Sequence, residues 1–443
     1  MSKLSLRYDH SNMRSAAVGK TSASPREWRA MLPRLKAAKK AVLTQAERGE
    51  QGFLSLPYER STNTDCVAVA KKLSRSFTDL VVLGIGGSDL GARTLHQALV
   101  DDTRSKKHAL RLHFAGSSTD PDELSRLLRQ LDMKKTCVNV ISKSGDTLET
   151  MAAFLVFRDR LIKSVGKTRM PSHVVATTDA ESGSLLALAK REHYAVLPIP
   201  VNVGGRFSVL STVGLFPATA SGIDTSALLD GARRYVDAFR ASAPAKSASC
   251  RYAGLHVLGM EQRKQTIHVT MPYAARLGAF ARWVRQLVAE SLGKKTSRHG
   301  KTLFAGPTPV KAVGPEDQHS QMQLYNEGPF DKLVTFIEVE TFDEDMTSPV
   351  SDGLGDTLAR FSNRSFQDLI HLERRAIAES LRQNQRPNGT LTLERIDPRA
   401  MGELFMFWEI SVALMGELLD VNAYDQPGVE LSKQIMRAGL KQR

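Results

Sequence analysis

Two glycine- and hydroxyl-rich loops, each directly after a short apolar run, could hold an anion. The first lies in residues 81–93 (VVLGIGGSDLGAR) and places Gly84, Gly86, Gly87 and Ser88 between a predicted buried strand and a predicted helix. Glycines let backbone N–H groups approach a phosphate closely, and a helix N-terminus adds free N–H groups and a positive dipole. The loop fits neither the dinucleotide fingerprint nor the Walker sequence. It therefore indicates either a small anionic ligand or a tight turn that requires glycines.

The second loop repeats this arrangement with more hydroxyl groups. Residues 140–150 (VISKSGDTLET) place Ser142, Lys143, Ser144 and Thr147 between a predicted strand and a predicted helix. The same residue types occur at ordinary helix N-caps, but one cap uses only one hydroxyl. Three hydroxyls and a lysine within six residues favour a bound ligand. Together the two loops favour a phosphate monoester over a nucleotide.

Two later segments carry side chains that could transfer protons or stabilise negative charge. Arg206 follows two glycines in NVGGRFSVLSTVG, where it could pair with a phosphate or an oxyanion. Gln286 and Glu290 stand four residues apart in RQLVAESLGK, on one face of a predicted helix. Both side chains also have an interpretation without chemistry. A lone arginine is more often part of a surface salt bridge, and a lone carboxylate on a helix is usually solvated.

Two further segments add an imidazole and an ammonium group. GPEDQHSQ places His319 just inside a predicted helix start, where imidazole could transfer protons near neutral pH. A buried or capping histidine explains that segment equally well. YDQPGVELSK places Gln426 in a predicted turn and Lys433 on the helix after it. With Glu290 and Arg206, these side chains supply a base, an imidazole, an ammonium and a guanidinium beside a predicted phosphate cradle.

The elements that must position these segments are short β-branched runs that alternate with helical stretches. Predicted strands cover residues 80–83, 110–114, 137–141, 174–176, 266–270, 333–339 and 390–393. Predicted helices cover residues 122–131, 147–162, 226–239, 275–291, 366–382, 401–419 and 429–440, with amphipathic helices in the first 70 residues and a loop at 241–249. Such alternation is typical of parallel sheets wrapped by helices. The sequence therefore predicts an α/β protein of two units with helical additions at both ends.

Composition sets the class of protein. With 443 residues, 42% of them hydrophobic and 24% charged, the chain has room for two or three globular domains and is unlike a disordered chain. No stretch reaches the roughly 18 uninterrupted apolar residues of a membrane span, and the N-terminus lacks the apolar core of a secretion signal. Cys66, Cys137 and Cys250 give neither a disulfide framework nor metal-ligand spacing. We therefore expect a soluble, cytoplasmic protein with no membrane partner.

The formal net charge of +14 has three interpretations. It can be a solvated basic surface, a field that attracts a small anionic substrate, or a nucleic-acid surface. The lysines and arginines are scattered rather than arranged in a stripe, and only 6% of residues are aromatic, so stacking platforms are scarce. We therefore expect no nucleic-acid partner.

In this order, the segments GIGGS, SKSGDTLET, GGRFS, QLVAESLGK, DQHSQ and DQPGVELSK resemble the glucose-6-phosphate isomerase family in its shorter bacterial form. GGRFS and the segment ending GVELSK are highly specific, whereas other sugar-isomerase (SIS) domains share the glycine loop. The resemblance implies two SIS-type parallel-sheet sandwich domains, a smaller one over residues 66–221 and a larger one over residues 1–65 and 222–443. It also implies a homodimer whose active site borrows a histidine from the neighbouring subunit.

The resemblance further implies reversible isomerisation of glucose 6-phosphate and fructose 6-phosphate through ring opening and a cis-enediolate. Glu290 would be the base that moves a proton between C1 and C2, and Arg206 would stabilise the enediolate. His319 and Lys433 would assist ring opening. The residues implied to bind substrate are Gly87, Ser88, Ser142, Lys143, Ser144, Thr147, Gln286 and Gln426. No metal and no organic cofactor is implied.

One residue departs from the family pattern at the phosphate loop. Asp146 stands where the bacterial form has threonine, so it brings an acid beside the predicted phosphate. The implied phosphate contacts fall on the positions around it. We therefore expect its carboxylate to point away.

Two other functions remain open at this point. A dual glucose/mannose phosphate isomerase would share the same phosphate cradle. A non-catalytic sugar-phosphate sensor would keep the SIS fold and bind the sugar phosphate without isomerising it. The joint presence of Glu290, His319, Arg206 and Lys433 disfavours the sensor, because a sensor needs no base.

Overall fold

Twelve strands and sixteen α-helices lie in the residues that the computed structural model describes, which are 4–101, 109–350 and 355–441. The strands are β1 (Arg7–Asp9), β2 (Asp79–Leu83), β3 (Arg111–Ala115), β4 (Thr136–Ile141), β5 (Val174–Asp179), β6 (Ala195–Ile199), β7 (Ile267–Pro272), β8 (Lys294–Thr296), β9 (Thr302–Ala305), β10 (Thr308–Lys311), β11 (Lys332–Val339) and β12 (Asn388–Leu393). The helices are α1 (Ser15–Val18), α2 (Pro25–Glu47), α3 (Arg60–Leu73), α4 (Leu90–Leu99), α5 (Pro121–Gln130), α6 (Leu148–Val165), α7 (Ser184–Glu192), α8 (Thr212–Ala220), α9 (Thr225–Ala241), α10 (Ala248–Arg263), α11 (Gly278–Leu292), α12 (Glu316–Glu327), α13 (Asp356–Ala359), α14 (Phe366–Gln383), α15 (Pro398–Leu418) and α16 (Glu430–Lys441). None of these described helices is long and apolar enough to span a bilayer.

The chain divides into two compact units, which we call unit 1 and unit 2. Unit 1 comprises Met1–Leu43, Asp237–Ile396 and Glu403–Arg443, and unit 2 comprises Thr44–Val236 and Asp397–Gly402. Each unit contains a five-stranded sheet. The predicted division into domains, residues 66–221 against the rest of the chain, stays a prediction.

The sheet of unit 2 is wholly parallel, with the strand order β3-β2-β4-β5-β6. All residues of β2 and β4 are buried, as expected for a parallel sheet covered on both faces. The chain runs from β2 outward to β3 and then returns to the other side of β2 for β4. Such a reversal leaves a crevice at the carboxyl edge of the sheet, where ligands bind. The two predicted anion loops follow β2 and β4, so the fold places them side by side at this edge.

The core of unit 2 lies between the sheet and α6. Phe154, Phe157 and Leu161 follow the spacing of one helix face and are fully buried in a cluster with Val138 of β4. The helix ends at Gly166, whose φ of +82° is a conformation that favours glycine. Because α6 is fixed in this way, the hydroxyl-rich loop that leads into it has a firm attachment.

The sheet of unit 1 has the order β1-β12-β11-β7-β10. Strands β12, β11, β7 and β10 run parallel, and β1 pairs antiparallel with β12 at the edge. Helix α11 contacts β7 and β10. Its Trp283 packs edge-to-face on Phe405 of α15, with the ring centroids 4.7 Å apart. These contacts fix the helix that carries Gln286 and Glu290.

The predicted fold class, parallel-sheet α/β with helical N- and C-terminal regions, is confirmed. Strand β1 was not predicted; it has only three residues and lies among the first 70 residues, for which helices are expected. Strand β6, which contains Pro198, was not predicted either, nor was α10, which is buried on most sides and so lacks an amphipathic pattern. The predicted loop at 241–249 is helical at Ala241 and again from Ala248 onward.

We expect Phe154→Ala to lower the free energy of unfolding by about 3–5 kcal/mol, because it removes a fully buried ring and leaves a cavity. Leu155, the next residue of α6, is 62% exposed. Leu155→Ala should therefore change the same quantity by less than about 0.5 kcal/mol. Urea unfolding of both variants beside the parent protein measures the difference. Equal losses would contradict the packing of α6 described here.

Candidate active site

The predicted site residues belong to both units. Unit 2 holds Gly87, Ser88, Ser142, Lys143, Ser144, Thr147 and Arg206, and unit 1 holds Gln286, Glu290, His319, Gln426 and Lys433. Each unit is described by itself below.

In unit 2, the glycine loop after β2 lies against the turn that carries Arg206. A Cβ atom on Gly87 would stand 2.2 Å from the carbonyl carbon of Gly205, so only glycine fits where the two backbones meet. Ser88 ends the short 3-10 turn of this glycine loop. Arg206 is only 3% exposed, and its guanidinium carbon lies 5.6 Å from the ring centroid of Phe207. The structure thus brings Gly87 and the buried cation of Arg206 together, as a site for an anion requires.

The hydroxyl-rich loop after β4 is closed by its own hydrogen bonds. The hydroxyl of Ser142 accepts the N–H of Gly145 at 3.0 Å and shares a hydrogen bond of 3.0 Å with the hydroxyl of Thr147. Thr147 is the N-cap residue of α6, yet its side chain makes no capping hydrogen bond to the helix. The first N–H groups of α6 are therefore left uncapped by residue 147, as at helix N-termini that bind phosphate.

Lys143 ties this loop to the segment before Arg206. Its ammonium donates to the carbonyl oxygens of Val201 at 2.7 Å and Val203 at 3.4 Å. Burial lowers the pKa of Lys143 from its usual value, while the nearby charge of Asp179 raises it. In this conformation Lys143 fixes two neighbouring loops of unit 2 and places a positive charge between them.

The carboxylate of Asp146 bonds to the start of α7, and its orientation away from the phosphate stays a prediction. Its carboxylate oxygen Oδ1 accepts a hydrogen bond of 3.2 Å from the hydroxyl of Ser184, the first residue of α7. Its backbone N–H donates to the hydroxyl of Ser144 at 3.2 Å. Ser144 and Asp146 are both exposed, so the acid lies at the rim of the loop.

In unit 1, Gln286 and Glu290 meet on one face of α11. The amide Nε2 of Gln286 donates to Oε1 of Glu290 at 2.9 Å. This hydrogen bond fixes the orientation of the carboxylate. Glu290 is half-buried and lies two residues before the end of the helix, as the sequence indicated. The arrangement is that of a positioned carboxylate that could accept a proton from a ligand.

Lys294 connects this helix end to the turn that contains Gln426. Its ammonium donates to the backbone carbonyl of Glu290 at 2.6 Å and lies 3.6 Å from Oδ1 of Asp425, the neighbour of Gln426. Lys294 was not among the predicted site residues. Its signal in the sequence is its place at the end of the ESLGK segment, two residues after the helix.

His319 and Lys433 each lie in the first turn of a helix. His319 is exposed on α12, and its neighbour Gln318 accepts a hydrogen bond of 3.0 Å from the hydroxyl of Tyr273. Lys433, on α16, donates to Glu430 at 2.7 Å. Their assignment to the site stays a prediction. Among the described residues, no three His, Cys, Asp or Glu side chains come together as metal ligands.

We expect Gly87→Ala to lower the free energy of unfolding by about 1–3 kcal/mol, because the added methyl group must push the Gly205 turn away. Gly205→Ala is the matched control. A Cβ atom at that position would lie 3.7 Å from the Cα of Gly87, an ordinary van der Waals contact, so this variant should lose clearly less. Thermal or urea unfolding of the pair tests this, and the reverse order of losses would contradict it.

Comparison with known proteins identifies the family of this chain. The family described as "Phosphoglucose isomerase" matches residues 66–442. The "Glucose-6-phosphate isomerase" of Carboxydothermus hydrogenoformans is 41% identical over 400 residues, which are 89% of this chain and 86% of that protein. The protein of the same name from Rubrobacter xylanophilus is 39% identical over 437 residues, 98% of this chain and 97% of that protein. A crystal structure of a hypothetical protein from Thermus thermophilus superposes with a TM-score of 0.88 at 35% identity, covering 98% of this chain and 99% of that one. The chain therefore belongs to the phosphoglucose isomerase family.

Proposed function

We propose that this protein interconverts glucose 6-phosphate and fructose 6-phosphate, a step of glycolysis that runs in reverse in gluconeogenesis. Two findings support this pair of sugars. One is the family of the chain, and the other is the name of two relatives that this chain matches over 86% and 97% of their length. The observation that carries the proposal is the half-buried carboxylate of Glu290, oriented by Gln286 at the end of α11. An exchange between aldose and ketose needs such a base to carry a proton between neighbouring carbons.

The phosphoryl group would be held by the loop after β4. Ser142, Ser144 and Thr147 supply hydroxyl donors, and the uncapped start of α6 supplies backbone N–H groups and a positive dipole. Lys143 adds a positive charge to the same loop. Gly87 and Ser88, in the neighbouring loop after β2, would contact the sugar.

The proton transfer itself would be carried out by Glu290. As an ionised carboxylate it would take the proton from one carbon of the open sugar and return it to the next, through a cis-enediolate. The negative charge that develops on the sugar oxygens would be stabilised by the guanidinium of Arg206. Its burial supports this role, because charge stabilisation is stronger where water is excluded.

Ring opening would precede this step, with proton transfer by His319 and Lys433. Gln286 and Gln426 would complete the contacts to the sugar. His319 would come from the neighbouring subunit of a homodimer, and its exposure on the first turn of α12 supports that use. The protein would act in the cytoplasm on a small sugar phosphate.

We expect Glu290→Gln to lower kcat by at least about 100-fold with little change in KM, because the amide keeps the shape and the contact with Gln286 but cannot accept the proton. A coupled assay that follows glucose 6-phosphate formed from fructose 6-phosphate measures this. Glu327→Gln is the control, since that glutamate of α12 is exposed and bonds to Gln323. Undiminished kcat in Glu290→Gln would refute the role of Glu290. Tight binding of fructose 6-phosphate by the parent protein without turnover would instead support a sensor.

The shared active site can be tested by mixing two inactive subunits. If His319 serves the neighbouring subunit, a dimer of one Glu290→Gln and one His319→Ala subunit has one site with both defects and one with neither. Purified mixed dimers, selected by two different affinity tags, should then recover up to about half of the parental activity, since the twofold axis makes the two sites equivalent in the parent. No recovery would show that both residues serve the same subunit, and a monomeric parent protein in solution would refute the dimer.

A further inference from the structure

Lys294 occupies an unusual position for a lysine. It is the first residue of β8, separated from the end of α11 by Gly293, and its side chain is only 5% exposed. The ammonium donates to two carbonyl oxygens in the last turn of α11, those of Glu290 at 2.6 Å and Ser291 at 3.0 Å. The last carbonyls of a helix lack partners within the helix and carry partial negative charge. Lys294 therefore caps the helix at the residue that bears the proposed base.

The same ammonium also reaches the chain after α15. Its nitrogen lies 3.6 Å from Oδ1 of Asp425, and Oδ2 of that carboxylate accepts a hydrogen bond of 3.0 Å from Asn422. Asp425 directly precedes Gln426, which the proposed function places at the sugar. An ammonium group has three donors, so one buried cation can hold both the helix end and this turn.

Arg298 also anchors the chain between the end of α15 and Asp425. Arg298, in the loop between β8 and β9, binds Glu417 near the end of α15 at 2.7 Å and donates to the carbonyl of Val421 at 3.1 Å. The backbone N–H of Arg298 donates to the carbonyl of Asp420 at 2.9 Å. The segment before Asp425 is thus anchored to the hairpin that starts at Lys294. What Lys294 adds is the direct link to Glu290.

We propose that Lys294 is a positioning residue for the isomerisation, which holds the turn of Asp425 and Gln426 in register with the carboxylate of Glu290. This inference rests on the proposed function of Glu290. Without the ammonium, the turn keeps the anchors that Arg298 makes at Glu417 and Val421 but loses its direct link to the end of α11, so the position of Gln426 relative to Glu290 is less firmly fixed. Misplacement of reacting groups by about 1 Å can cost about 100-fold in rate. The hydrogen bonds of the phosphate loop are made within unit 2, so binding of the phosphoryl group does not depend on this anchor.

The test compares Lys294→Met, which keeps the length of the side chain without its charge, with Lys332→Met. Lys332 is also a buried lysine of unit 1 beside a carboxylate, but it contacts Asp331 and Pro329. Lys294→Met should lower kcat by about 10- to 100-fold and change KM by less than about threefold, whereas Lys332→Met should leave kcat within about threefold. Equal loss of kcat in both variants would overturn the proposal, because it would show a general effect of removing a buried lysine.

The double variant shows whether Lys294 acts through Glu290. In a Glu290→Gln background, Lys294→Met should lower the residual kcat by less than about threefold, because the group that it positions is already disabled. Multiplied losses would overturn the proposal. If Lys294→Met does not fold, Asp425→Asn replaces it, since Asp425 is half exposed and the change keeps its shape. Asp425→Asn should also lower kcat, and an unchanged kcat would count against the proposal.

The two proposals fail in different ways. If the parent protein does not isomerise the sugar, or if Glu290→Gln retains full kcat, the proposed function is wrong. If the parent is active, Glu290→Gln is disabled and Lys294→Met retains its kcat, only the inference about Lys294 is wrong.

Discussion

In unit 2, the backbone contact between Gly87 and Gly205 fixes how two loops of the candidate site lie against each other. A Cβ atom at Gly87 would force the two backbones apart. With glycine there, the loop after β2 and the turn that carries Arg206 keep one close relative position. Lys143 adds a second tie, from the loop after β4 to Val201 and Val203. Arg206 is only 3% exposed, so its guanidinium has little freedom left to lose on meeting an anion. These contacts therefore hold the candidate anion-binding loops of unit 2 in fixed relative positions.

In unit 1, the same requirement for fixed geometry is met by a helix. The carboxylate of Glu290 takes its direction from Gln286 one turn earlier and from the end of α11, which aromatic packing of Trp283 on Phe405 holds against α15. A proton-transfer group on a packed helix is placed more accurately than one on a loop. The chemistry assigned to Glu290 therefore depends on residues that never touch a sugar.

Much of this could be predicted from local sequence. The apolar run of β2, the largely apolar run of β4 with Asn139 in it, and the hydroxyl-rich loop after β4 are all recognisable in the sequence. The four-residue spacing of Gln286 and Glu290 predicts their contact. The link between Lys294 and Asp425 could not be predicted, because it joins residues far apart in the chain whose meeting depends on the path of α15. The same holds for β1, a three-residue strand that exists only through its pairing with β12. The glycine-rich loop around position 87 could be recognised in the sequence, but the contact of Gly87 with the backbone of Gly205 could not.

The parallel order of the sheet in unit 2 has a consequence for how such a protein can change. Since every strand of that sheet runs the same way, the loops of the candidate site all leave from one edge, and the connections that enter the strands, such as those before Asp79 and Thr136, lie at the opposite edge. Connections at that far edge can become longer or shorter, or make new contacts, while the loops of the candidate site stay in place. The architecture therefore separates the edge that carries the candidate site from an edge that can vary without altering those loops.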